Sequence, residues 1–426
     1  MPPEGETWDD VIEKRCDNAA RSSAKMADYT PPEDEPDPDP NGDFEPPYTS
    51  EERQAVLAEP VFEELGVHFM GLPGWIYRNL REYPNQTKTT VYELARQVRL
   101  AGGKYLRTFL MNGSRQPHER YMMDALPWEM VKVVEGGNQL RKVDFESVNE
   151  YYYECCAVIE EAVKYWKIHH RPTFYMDRYN NDIFDPRFNI QGVNGYRSDG
   201  ALAYKGKFIY DYMDFQHKFR AEDYKHAWEI ENEPFHHGNH QLGAVIADQN
   251  LAMFRCAERH GARIDETMTC SGSSEFSHAN FVEEEYFPGL GRTFGSDEFA
   301  SRKVKPEWHS VSTLDDLLYK MDWNSALASG WRHLCNNEDG ADSGSYNPVP
   351  WSPFRLANYA ESVEMCSFAI SSARARGKRW FFTYFMMDSL QIDPDDGVVK
   401  ETYDLSLMNF NRIHAYKNVR QDLDEA

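Results

Sequence analysis

Eight short apolar segments recur along the chain, and amphipathic helical patterns lie between them. This alternation is typical of parallel β/α architecture, because consecutive parallel strands need a crossover that a helix supplies. Eight strands in about 370 residues favour a (β/α)8 barrel with long loops. A doubly wound open sheet is the alternative, but neither GxGxxG nor GxxxxGK[ST] follows the first segment. The predicted strands are 67–70, 105–111, 173–177, 227–231, 264–270, 292–296, 332–336 and 380–385.

Two connections, 112–145 and 178–226, are too long for ordinary loops. In a barrel, such insertions belong to the face at the carboxyl ends of the strands, where substrates bind. The second insertion is rich in aromatic residues, and Tyr210 and Tyr212 alternate as on a strand, which predicts a hairpin around Gly206. The aromatic residues form either a stacking wall for sugar rings or a lid packed on the barrel rim.

The N-terminal region differs from the rest in charge. Residues 1–60 hold 17 acidic against five basic side chains, in a chain of net charge −24. Residues 30–48 alternate proline with acids, and such a segment stays extended because like charges repel and no core can form. We therefore predict a helix and acidic Pro-rich linker over 1–48, followed by a barrel domain over 49–426 whose first helix is capped by Thr49 or Ser50. The N-terminal segment either docks onto a partner or acts as a disordered, solubilising leader.

Composition excludes several classes of function. The acidic balance argues against a nucleic-acid partner, because phosphate contacts need clustered Lys and Arg. There is neither an apolar signal core nor an apolar run of 18 residues, so we expect no membrane span. The cysteine count is odd and CxxC is absent, which predicts buried free thiols and suits a cytoplasmic or assembly-associated protein. The seven are Cys16, Cys155, Cys156, Cys256, Cys270, Cys335 and Cys366.

The sequence AWEIENEPFHHG, residues 227–238, carries the sharpest chemical signal. It alternates as a strand and stops at Pro234, because proline cannot continue a central strand. Asn232 and Glu233 are thereby predicted at the carboxyl end of the fourth strand, where barrel enzymes place catalytic groups. Aromatic neighbours such as Trp228 can raise the pKa of a carboxyl group and suit it to general acid catalysis.

An Asn-Glu-Pro sequence ending strand four resembles the clan A glycoside hydrolases, which are retaining (β/α)8 enzymes. The resemblance implies that Glu233 is the acid/base and that Asn232 binds the sugar 2-hydroxyl. It also implies a nucleophilic Glu at the end of strand seven, where Glu338 fits. Asp339 is an alternative, as is Glu298 if the strand count slips by one.

Further clan features give a mixed result. Arg107 on strand two fits the arginine that supports the nucleophile, although an ion pair at the barrel base is the alternative. Many clan members also carry a Tyr or His after strand six and a Trp after strand eight. Neither type stands at the predicted ends of those strands, 295–297 and 385–388.

The histidines His236, His237 and His240 follow Glu233 closely. HExxH is absent, so a cap or a sugar contact is favoured over a metal site. No cofactor is expected.

The sequence therefore predicts a retaining glycosidase that acts on an oligo- or polysaccharide. A carbohydrate-binding barrel without turnover, alone or within a surface or virus-particle assembly, is the alternative. The predicted catalytic residues are Glu233 and Glu338, and the predicted substrate-binding residues are Asn232, Arg107, His237, Trp228, Tyr210 and Tyr212.

Overall fold

A computed structural model describes only part of the chain. The described residues are 44–69, 71–110, 127–135, 138–173, 208, 211–212, 215–216, 228–229, 268–271, 305–309, 333–339, 359–377, 379–386, 390–392, 399–401 and 416–422. The strands are β1 (Phe62–Phe69), β2 (Gly103–Phe109), β3 (Trp128–Glu135), β4 (Asn138–Val148), β5 (His169–Thr173), β6 (Trp228–Glu229), β7 (Met268–Ser271), β8 (Lys305–His309), β9 (His333–Asp339), β10 (Arg379–Met386), β11 (Leu390–Ile392) and β12 (Val399–Glu401). The helices are α1 (Ser50–Ala58), α2 (Leu72–Asn79), α3 (Pro84–Leu100), α4 (Glu150–Tyr165), α5 (Tyr359–Ala375) and α6 (416–422).

Eight parallel strands close into a barrel in the order β1-β2-β5-β6-β7-β8-β9-β10. Closure is made by β1 and β10, where Leu65 pairs with Phe382 and Phe69 with Met386. The predicted barrel is thus present in the described strands, and the open-sheet alternative is wrong. The other strands form two antiparallel ribbons, β3-β4 and β11-β12.

Two barrel strands differ from their predicted positions. The sixth is Lys305–His309 rather than 292–296, and the third is His169–Thr173, which shares only Thr173 with the predicted segment. Both contain proline, Pro306 and Pro172, and both are rich in polar residues, so neither shows the apolar pattern of a strand. Pairing with neighbouring strands decides these two positions, and local periodicity does not reveal such pairing.

The two faces of the barrel sheet carry different residues. Leu65, Val67 and Leu106 are fully buried in an apolar cluster with residues of the surrounding helices, so their face is the outer one. Alternation places Gly66, Tyr105 and Arg107 on the inner face. A methyl group at Gly66 would overlap the ring of Tyr105, so only glycine lets that ring cross the barrel interior here.

The predicted cap of the first helix is confirmed. Thr49 caps α1 through a capping box, in which its hydroxyl accepts from the Glu52 amide at 3.2 Å and its own amide donates to the Glu52 carboxylate at 2.7 Å. The residue pattern T-x-x-E is the sequence signature of this arrangement. Residues 1–43 lie outside the described part of the chain, so the linker and its docking stay predictions.

The second long insertion is partly described. Phe208, Asp211, Tyr212, Phe215 and Gln216 are helical, and their spacing of three and four residues places them on one helix face. We call this set the insertion face. The hairpin predicted from Tyr210 and Tyr212 is therefore wrong at residue 212, because the helical spacing of Phe208, Tyr212 and Phe215 prevails over the alternation.

The described residues bear on two further expectations, concerning the cysteines and membrane-spanning helices. Cys155, Cys156 and Cys366 are free and buried, as predicted; the other four cysteines either lie outside the described residues or have undescribed side chains. Within the described segments, no helix has the length and apolar character needed to cross a membrane.

Candidate active site

Strand four of the barrel is β6, as the sequence predicts. Its Glu229 pairs with Thr173 of β5, and its Trp228 pairs with Met268 of β7. Because all eight barrel strands are parallel, the chain leaves β6 at the carboxyl face shared by every strand. Asn232, Glu233 and His237 follow there in sequence but lie outside the described residues, as does Tyr210. Only the backbone of Trp228 is described.

Strand seven is β9, and Glu338 is its second-to-last residue. Asp339 ends the strand and pairs with Tyr384 of β10. The strand count does not slip, because Glu298 precedes the sixth strand in the chain. Glu298 is therefore not at the end of strand seven.

His309 is a residue that the sequence prediction did not consider. It is the last residue of strand six and the register partner of Glu338 on β9. The ladder between β8 and β9 shifts between Trp308 and His309, and such irregularities concentrate at barrel rims and active sites. The sequence prediction looked for a Tyr or His at 295–297, whereas strand six ends at His309. The segment KPEWH, residues 305–309, ends in a histidine, but its proline and charged residues lack the apolar pattern of a strand.

The barrel register relates the strand ends to one another. Register partners on parallel strands share a face of the sheet, and alternate residues of one strand do so as well. Following the pairs from β2 through β5, β6, β7 and β8 to β9 assigns positions 107, 229, 309 and 338 to one face. That face is the inner one, because Leu106 packs on the other side.

Arg107 is fully buried on this inner face. Its guanidinium contacts Nδ1 of His68 on β1, and its charge lies 5.0 Å from the centre of the Phe109 ring. Arg171 of β5 is its register partner and is also buried. A buried guanidinium is costly unless acceptor or anionic groups surround it, and Nδ1 of His68 is such an acceptor for Arg107.

Tyr212 is buried in this structure. Its side chain is 0% exposed, with ring contacts to His170, Phe208 and Phe215. The burial of Tyr212, Phe208 and Phe215 favours packing of these rings against the protein over a stacking wall for sugars. The role of Tyr212 in substrate binding stays a prediction.

No protein-family model matches the sequence, and no curated protein matches it. Solved structures do resemble the fold. GH5_18 from Streptomyces cattleya, in complex with GlcNAc, superposes with a TM-score of 0.52 at 12% identity, covering 86% of this chain and 81% of the other. The family 5 xyloglucanase from Paenibacillus pabuli gives 0.45 at 11% identity over 77% and 90% of the two chains. The family 1 β-glucosidase from Thermotoga maritima gives 0.44 at 10% identity over 84% and 99%.

At these identities the likeness concerns the fold alone. Among the three structures named, the fold comparison rests on the one from Streptomyces cattleya, whose TM-score is 0.52. The chain has a barrel fold of the kind found in clan A glycoside hydrolases.

Proposed function

We propose that the protein is a retaining glycoside hydrolase with Glu338 as nucleophile and Glu233 as acid/base. The observation that carries the proposal is the register of strands six and seven, which sets Glu338 beside His309 at the carboxyl ends of two neighbouring strands. Asn232 and Glu233 follow strand four in the sequence, and because the eight strands are parallel we expect Glu233 at the same end of the barrel as Glu338. Retention requires a separation of about 5–5.5 Å between them.

In this mechanism Glu338 attacks the anomeric carbon while Glu233 protonates the leaving oxygen. A covalent glycosyl-enzyme forms and an alcohol departs. Glu233 then removes a proton from water, which attacks the same carbon and releases Glu338. Asn232 would hold the 2-hydroxyl, and Arg107 on the same inner face would favour the ionised form of Glu338.

The substrate class is an oligo- or polysaccharide. The assay panel includes N-acetylglucosamine glycosides, because one structure of similar fold was solved in complex with GlcNAc. Three further residues are proposed to contact the sugar because of their positions in the sequence. Trp228 precedes Glu233, His237 follows it, and Tyr210 lies in the insertion before strand four.

The experiment measures hydrolysis across this panel for wild type, Glu233→Ala and Glu338→Ala. We expect both variants to lose at least about a thousandfold in kcat/KM, equal to roughly 4 kcal/mol of transition-state stabilisation. Azide should restore turnover to Glu338→Ala and give a glycosyl azide of inverted configuration. Full activity in both variants would refute the assignment.

A carbohydrate-binding barrel without turnover is the second candidate. One of its two arguments is the missing strand-six residue, and the histidine that ends strand six at position 309 speaks against that argument. The other remains, since no tryptophan stands among residues 385–388. Glycan binding without hydrolysis, together with carboxyl groups more than about 9.5 Å apart, would favour this candidate.

A further inference from the structure

A buried polar network lies on the outer side of the barrel. It is formed by side chains of strands β2 and β5, helix α4 and the insertion face. His170 of β5 is at its centre. Its Nδ1 lies 2.6 Å from the Glu160 carboxylate of α4, and its Nε2 lies 2.7 Å from the Thr108 hydroxyl of β2. All three side chains are 0% exposed.

The insertion joins this network through two side chains. Gln216 donates from Nε2 to the same Glu160 oxygen at 2.6 Å, and the Tyr212 hydroxyl lies 3.4 Å from Nδ1 of His170. Both side chains are 0% exposed. The amide of Gln216 is thus held by a carboxylate that the imidazole already orients, and such charge-assisted bonds are the strong ones.

Aromatic packing encloses the same segment. The Phe208 ring lies 5.5 Å from that of Trp128 at the start of β3, and the Phe215 ring lies 5.1 Å from that of Tyr153 in α4. Burial raises the pKa of the neighbouring Cys156 thiol, as expected of a buried group. Because its side chains are fully buried, the hydrogen bonds of the network are worth more than they would be at the surface.

A hydrolytic role for the network itself fails on access. Thr108, His170 and Glu160 stand in the hydroxyl-imidazole-carboxylate order of hydrolase triads. No substrate can reach a hydroxyl that has no exposed surface. The network must therefore act through the segment it holds.

That segment lies in the connection between strands three and four. Gln216 precedes the first residue of β6, Trp228, by 12 positions, and Glu233 follows the end of β6 by four. We infer that Glu160, His170 and Gln216 are positioning residues, which fix the insertion on the barrel wall and thereby set the approach of strand four and the placement of Glu233. The inference rests on the proposed function of Glu233.

The first test needs no substrate. Gln216→Met keeps the length of the side chain but removes its donor, and hydrogen exchange is followed by mass spectrometry in the full chain. We expect peptides covering 208–216 to exchange at least about tenfold faster. Trp166→Phe is the matched control, since it removes the bond from Trp166 Nε1 to the Tyr92 carbonyl, 2.8 Å long, at the C-terminal cap of the helix that carries Glu160. It should accelerate exchange near residues 92 and 166 and leave 208–216 unchanged.

The second test reads the placement of the acid. Aryl glycosides with poor leaving groups need protonation in the transition state, whereas dinitrophenyl glycosides hardly need it. Gln216→Met should lose about tenfold more kcat/KM on the poor leaving group than on the good one. Trp166→Phe should lower both rates equally, as expected of a purely structural defect.

The outcomes separate the two ideas. Unchanged exchange over 208–216 in Gln216→Met would overturn the inference whatever the enzyme does. Faster exchange with an unchanged leaving-group ratio would overturn the link to Glu233. Absence of turnover by wild type on every substrate would refute the proposed function and the link together, while exchange would still decide whether the network holds the insertion.

Discussion

His309 and Glu338 are register partners at the carboxyl ends of neighbouring strands in the barrel. The pairing relates a residue that can carry or donate a proton to a residue proposed as nucleophile. It depends on the position of the sixth strand at Lys305–His309. The sequence separation of the two residues gives no hint of it.

The first prediction concerns His309→Phe. In the proposed mechanism His309 donates a hydrogen bond to the Glu338 carboxylate. Such a bond to a charged group is worth about 1.5–3 kcal/mol, so its loss should lower kcat/KM on a glycan by roughly 10- to 100-fold. Trp308→Phe is the control, because position 308 belongs to the opposite face of the same strand. Equal kinetics for the two variants would contradict a role for His309 beside Glu338.

The second prediction concerns Arg107→Met. Arg107 is fully buried and contacts His68, so its loss should lower the free energy of unfolding by about 3 kcal/mol and abolish most hydrolysis. Arg99→Met is the comparison, since Arg99 is buried outside the barrel and donates to the carbonyls of Leu57 and Glu59. That variant should also be destabilised in urea titrations, yet keep the specific activity of its folded fraction. If Arg107→Met loses stability but keeps full activity, Arg107 has only a structural role, and its proposed effect on Glu338 is wrong.

The third prediction concerns Gly66→Ala. The added methyl group would overlap the Tyr105 ring inside the barrel, and such overpacking costs about 3 kcal/mol. Gly377→Ala serves as the reference, because its φ of +66° costs only about 1 kcal/mol in open space. Thermal unfolding should rank the two variants in this order. Adding Tyr105→Leu to Gly66→Ala should recover part of the lost stability, and a failure to do so would show that the ring is not the obstacle.

The fourth prediction uses the capping box of α1. Hydrogen bonds from the backbone and side chain of Thr49 hold the pKa of Glu52 below its usual value. A lowered folded-state pKa gives stability that is fully present above the ordinary pKa of a glutamate and is lost as the pH falls through the lowered one. Thr49→Ala should cost about 1 kcal/mol at pH 7 in urea titrations. The difference between variant and wild type should shrink at a pH below the lowered pKa, and a gap that widens in acid would contradict this assignment.

Much of the barrel was predictable because its signals are local. The apolar alternation around Trp228 and the runs in β1, β2 and β10 reflect burial of each strand, which the chain encodes in its own periodicity. The T-x-x-E pattern at Thr49 and the glycine at position 377, which ends α5 with a positive φ, are equally local. These features gave the fold class, the cap of the first helix and the positions of strands four and seven.

The third and sixth strands escaped prediction because their evidence is not local. In β5 and β8, polar residues and a proline are accommodated by pairing on both sides within a closed barrel. The burial of the aromatic residues in the second insertion also depends on contacts that are not local in sequence. A tyrosine exposed for sugar stacking and one buried against the protein look alike in sequence, and only packing against Phe208, Phe215 and His170 shows that Tyr212 is buried.

The sequence by itself determined the β/α barrel class and the positions of most of its strands, including strand four, which Asn232 and Glu233 follow, and strand seven, which holds Glu338. Only the tertiary structure decided that His309 lies beside Glu338, that Arg107 meets His68, and that Gln216 reaches Glu160 across 56 residues of chain. The physical reason is that periodicity records which side of an element is buried, whereas partners distant in sequence are chosen by strand register and barrel closure.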